Sequence, residues 1–173
     1  VSHPLIGDAA SLSALAATLR RAALQLRADA ERLEAALEDA SPGWTGPTAT
    51  STRRRTAAVG ASLETVAASL DACAGSLQRA ATDLSGCTAD LRAIEEQAVA
   101  AGFEVRDGRL VRTWGITGVA DHGAEVDGDR VREALQERLH LLVSALGRLR
   151  ARLAADCEQA TALLGETSAA LRR

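Results

Sequence analysis

The stretch 59–100, VGASLETVAASLDACAGSLQRAATDLSGCTADLRAIEEQAVA, carries the most regular pattern in the chain. Val59, Leu63, Val66, Leu70, Cys73, Leu77, Ala80, Leu84, Cys87, Leu91, Ile94 and Ala98 follow one another at alternating steps of four and three. Such spacing places them along one seam of a helix, as in a heptad repeat. Gly75 and Gly86 lie off the seam, and each costs about 1 kcal/mol relative to Ala in a helix interior. The pattern therefore predicts one helix from about Pro47 to Ala101, with at most a bend at "LSGCT". At about 1.5 Å per residue such a helix is roughly 80 Å long, so a rod is expected.

Working outward, Leu12, Leu15, Leu19, Ala22, Leu26, Ala30, Leu33 and Leu37 recur at helical spacing and predict a first helix from Asp8 or Ser11 to about Asp39. Ser41, Pro42 and Gly43 end it, because proline lacks the amide donor and glycine tolerates a turn. Towards the C-terminus the period changes. "FEVRDGRLV" alternates Phe103 and Val105 before Asp107-Gly108 and Leu110 after it, the form of a small β-hairpin with a tight turn. A Gly- and Asp-rich loop follows. Val131, Leu135, Leu139, Leu142, Leu146, Leu149, Leu153, Cys157, Ala160 and Leu164 then mark a third helix from about Gly128 to Leu171. The expected fold is all-α: an elongated antiparallel bundle of three long helices, with the hairpin and loop inserted between helices two and three. It reads as a single domain in three stretches, a helical hairpin over 1–101, the insertion over 102–127 and the third helix over 128–173.

Composition fits that architecture. Hydrophobic residues make up 47% of the 173 and aromatics 2%, so the apolar surface comes from Ala, Leu and Val. Small side chains allow helices to approach closely. Every basic residue is Arg, and the formal net charge of −3 gives no electrostatic reason to expect nucleic acid as a partner. No run is long and apolar enough to predict a membrane span, and the start of the sequence lacks the basic and apolar regions of a cleavable Sec-type signal peptide.

Residues facing each other in an antiparallel helical pair have a nearly constant sum of residue numbers. With helix two ending near 101 and helix three beginning near 128, Cys73 falls opposite Cys157, whereas Cys87 lies roughly 21 Å from Cys73 along the same helix. Two readings follow: small buried hydrophobes, or a thiol pair that bridges helices two and three in an oxidising environment. The same addition places Leu12 opposite Leu77. Helix one then covers only the first half of helix two, and the seam beyond Ala80, with Leu84, Leu91 and Ile94, is expected to face a protein partner or a second copy of the chain, unless the hairpin around Phe103 and Trp114 covers it.

The bend at 39–55, "DASPGWTGPTATSTRRR", sets Trp44, Thr45 and Gly46 between two Ala-rich, Leu-striped helices. Gly46 and Pro47 suit an N-cap and a first helical position. The arrangement over about residues 8–101 resembles the WXG-type small secreted proteins of bacterial type VII (ESX) secretion, in particular the longer actinobacterial members in which such a hairpin is the secretion-targeting part of a larger effector. The resemblance implies a non-enzymatic module, secreted or carried to the cell surface. It also implies that Trp44 and Gly46 contribute to the surface read by the secretion machinery, with a secretion ATPase as one partner. Members of that family carry a Tyr-x-x-x-Asp/Glu signal after the second helix; this chain contains no Tyr. A cytoplasmic coiled-coil scaffold or chaperone-like adaptor is the alternative.

Other constellations carry less. Arg53, Arg54 and Arg55 read as a solvated face. His3, His122 and His140 lack ligand spacing, so no metal is expected, and Asp121, Glu125, Asp127 and Asp129 lack the order of a calcium loop. Asp127 or Asp129 is expected to cap helix three. No nucleophile with a base, carboxylate pair or phosphate-cradling loop is present, so neither a catalytic residue nor a cofactor is expected. An effector activity in Phe103–Asp129 has no chemistry behind it.

Overall fold

A computed structural model describes residues 8–113 and 122–172, with 122–126 described by their backbone. The fold is all-α. Helix α1 spans Ala9–Ala40, α2 Pro47–Ala100 and α3 His122–Leu171, and strands β1 (Phe103–Arg106) and β2 (Arg109–Arg112) form an antiparallel hairpin between α2 and α3. The chain divides into two compact units, one built on Thr82–Ala151 and the other on Ala10–Ala81 with the segment from Arg152 onward.

In the second of these units α1 and the first part of α2 run antiparallel. Arg27 reaches Glu64 and Asp71 at 3.8 and 3.9 Å, and Gln78 Nε2 donates to Ser13 Oγ at 3.5 Å. These exposed ion pairs define register more than stability. The interface itself is made of alanine. Ala16, Ala23, Ala67 and Ala74 are fully buried, and Ala16 packs with Ala74 and Leu77, flanked by Leu12, Leu19, Cys73 and Leu153. This corrects the stripe read from α1: Leu15 and Ala22 are exposed, and the centre of the buried face lies one residue on, at Ala16 and Ala23. A methyl group lets two backbones come closer than a leucine would, so the helix rotates to put Ala at the nearest approach and Leu at the flanks. Val59, at the start of the α2 seam, is likewise exposed.

The unit built on Thr82–Ala151 has a bulkier core. Leu84, Leu91, Ile94, Ala98, Leu135, Leu139, Leu142 and Leu146 are all buried. Phe103 and Leu110 bring the hairpin onto Ala98 and Leu135, with Val105 beside them. Asp107 (φ 50°) and Gly108 (φ 75°) both take positive φ, the backbone of the two-residue turn that Asp-Gly favours. Gln136 then holds the hairpin by its backbone. Its Oε1 accepts from Leu110 N at 2.9 Å, and its Nε2 donates to Gly108 O at 3.2 Å. Thr113 closes the open end through Gly102 O, to which its amide and its hydroxyl both donate.

One boundary differs from expectation. α3 begins at His122, earlier than Gly128, so Asp127 and Asp129 lie within the helix and do not cap it. Asp127 pairs with Arg130 at 3.4 Å, and Asp129 with Arg112 and Arg132 at 3.6 Å each. Acidic residues in the first turns favour the positive end of the helix and offset the cost of Gly128. α2 continues through Gly86 without a break. A Cβ at Gly86 would meet nothing within 4 Å. Gly86→Ala should therefore raise unfolding stability in urea by about 0.5–1 kcal/mol, the helix-interior difference between the two residues; a loss would show that α2 needs glycine there.

Candidate functional site

The bend between α1 and α2 is built residue by residue from its own sequence. Ser41 Oγ donates to Leu37 O at 2.7 Å and the Ser41 amide to Glu38 O at 3.1 Å, closing the last turn of α1. Trp44 N donates to Ser41 O at 3.1 Å. Gly43 (φ 77°) and Gly46 (φ 104°) supply the two left-handed positions that reverse the chain. Gly46 O accepts from Thr50 N at 3.1 Å, and Pro47, whose missing amide costs nothing at a first helical position, starts α2.

Trp44 is half-buried at this bend. Its carbonyl accepts a hydrogen bond from Arg53 Nη2 at 2.8 Å. Arg53 is therefore not a purely solvated residue: it ties the second turn of α2 back to the bend, while Arg54 and Arg55 are exposed. The hint in the sequence was a conflict. Three arginines in the first turns of a helix oppose its dipole, and one of them is offset by a charge-assisted bond.

Beside the bend, α1 and α2 leave an open groove of about 340 Å³. Ala30, Leu33, Leu37, Ala57, Gly60 and Ala61 supply its apolar lining, and Glu31, Glu34 and Glu64 line it with carboxylates. Sequence reading missed this groove, because a seam pattern does not report where two helices diverge.

The other predicted residues are placed as follows. Leu84, Leu91 and Ile94 are 5, 4 and 2% exposed. The chain's own atoms cover them, so this seam is not a free surface. Cys73 on α2 and Cys157 on α3 are neighbours, and both thiols are free. Burial pushes the Cys73 thiol up, and Cys157 and Asp156 push it the same way. Cys87 is also raised, by burial first and then by Asp90 and Asp83. Trp114 and Asp121, and the side chains of His122 and Glu125, lie outside the described residues, as does His3. Among the described residues, no cluster of His, Cys, Asp and Glu has the arrangement of a metal site, and no helix is long and apolar enough to cross a membrane.

No family model, curated protein or solved structure matches the chain. The site therefore rests on its own geometry. In a Trp114→Phe background, where Trp44 is the sole fluorophore, Arg53→Ala should shift indole emission to longer wavelength and cost about 1–2 kcal/mol in urea. An unchanged spectrum and midpoint would show that the clamp does not order the bend.

Proposed function

We propose that this chain is a non-enzymatic helical interaction module of the type VII (ESX) secretion kind, exported or carried at the cell surface, and engaged at its first bend. The observation that carries the reading is the bend itself: a half-buried Trp44 and a left-handed Gly46, fixed by Arg53 at the junction of two antiparallel helices. A rigid aromatic at a defined turn is what a recognition surface uses as an anchor, since little entropy is lost on binding.

The adjoining groove supplies the rest of the contact. Small residues along its floor, Ala30, Ala57, Gly60 and Ala61, admit a partner helix, and Glu31, Glu34 and Glu64 favour one with Arg or Lys beside its apolar face. The partner proposed is therefore an amphipathic helix with basic flanks, belonging to a component of the secretion apparatus such as its ATPase or to a co-exported protein.

Expression of a tagged chain in a host with an active type VII system tests the reading. The chain should reach the culture filtrate or cell surface. Trp44→Ala should weaken partner binding by roughly tenfold or more and reduce export in step, without loss of helical circular dichroism. Glu31→Arg with Glu34→Arg should do the same through repulsion. Retention of the unaltered chain in the cytosol would overturn export. If it kept a bound partner there through Trp44 and the groove, the cytoplasmic scaffold or chaperone-like adaptor would replace it.

A further inference from the structure

The segment of α3 from Arg152 onward is held differently from the rest of the chain. The last buried residue of α3 is Leu146; beyond it Leu153, Asp156, Cys157, Ala160, Leu164, Thr167 and Ser168 are half-buried at most. Non-covalent packing therefore grips this segment weakly. Within the unit that contains it, Leu153 packs against the cluster of Ala16, Ala74 and Leu77, and so does Cys73. Cys73 also shares a small open groove, about 210 Å³, with Asp156, Gln159 and Ala160. Leu153 and Ala160 bracket Cys157 at helical spacings of four and three, so Cys157 stands on the face of α3 that meets Cys73. Cys157 is among the groups that push the Cys73 thiol up, as a close neighbour would.

We propose that Cys73 and Cys157 are a disulfide-forming site, closed by exchange with a low-molecular-weight disulfide such as oxidised glutathione, and that the bond clamps the C-terminal segment of α3 to α2. Neither thiol is fully buried, and the open groove beside Cys73 gives the reagent access. One cysteine, as thiolate, attacks a sulfur of the small disulfide; a protein–glutathione bond forms and one glutathione thiolate leaves. The second cysteine gives its proton to water and attacks the protein sulfur, expelling the second glutathione. Two protein thiols are oxidised by two electrons, one disulfide is reduced to two thiols, and the two protons end on the released glutathiones. The site does not rest on the reading of the bend, and either stands if the other fails.

The test is incubation of the purified full chain, unaltered and as Cys87→Ser, with excess oxidised glutathione under native conditions, followed by thiol titration, peptide mapping and thermal melting. In the Cys87→Ser chain the reactive thiols should fall from two to none, and the map of either chain should show Cys73 joined to Cys157 without a glutathione adduct on either. Closing so long a loop should raise Tm by roughly 10 °C, reversed by dithiothreitol. Cys87→Ser should close the same bond. In Cys157→Ser, Cys73 should instead hold glutathione, which shows that the thiol is reachable. Stable glutathione adducts on both cysteines of the unaltered chain, a link through Cys87, or no oxidation under conditions where Cys157→Ser is glutathionylated would each overturn the proposal.

Discussion

The close approach of α1 to α2 through alanine is the constraint on which the candidate site depends. Ala16 meets Ala74, and the register fixed by Arg27 with Glu64 places Ala23 opposite Ala67, one heptad on. The next step, at Ala30 and Gly60, already lies in the groove, where a Cβ on Gly60 would meet nothing within 4 Å. Leucines on the flanks add apolar area without holding the backbones apart. Towards the bend this series runs out. Leu33 and Leu37 on one side and Ala57, Gly60 and Ala61 on the other no longer fill the space between them, and the groove opens there. The same bend carries Trp44. Alanine packing thus produces both the pairing of the helices and the place where the pairing is incomplete.

The two compact units are stabilised in different ways. In the one built on Thr82–Ala151, large aliphatic side chains from α2 and α3 are buried together with Phe103 and Leu110 of the hairpin, and Gln136 fixes that hairpin through its backbone. Fully burying side chains of this size contributes about 1.5–3 kcal/mol each. In the other, the buried residues are mostly alanines, which contribute little area apiece, and the last segment of α3 buries none. The disulfide proposed between α2 and α3 falls in the unit whose buried side chains are mostly alanine.

Much of this was legible in the sequence for identifiable reasons. Helix α2 could be read because its seam never slips over Val59–Ala98, and the hairpin because Asp107-Gly108 has a turn geometry of its own. The register that set Cys73 against Cys157 was read from two helix ends, one of which, Gly128, lies inside α3. What escaped was set by size and by tertiary placement. Alanine scores as apolar but weakly, so a hydrophobic stripe centred on Leu15 and Ala22 concealed the face centred on Ala16 and Ala23. Leu84, Leu91 and Ile94 read as uncovered because α1 is short, yet they are buried within the chain. Arg53 looked like solvent-facing charge because the conflict with the helix dipole does not name the carbonyl, nine residues back, that accepts its bond. The groove by the bend had none either.

Urea unfolding of Ala74→Leu beside Ala68→Leu tests the alanine contact most directly. Ala74 is fully buried and Ala68, on the same helix, is exposed. Forcing an isobutyl group into the contact should cost about 1–3 kcal/mol at position 74, while the exposed substitution should stay within about 0.5 kcal/mol of the unaltered chain. Equal midpoints for the two variants would contradict an interface governed by the closeness of its backbones.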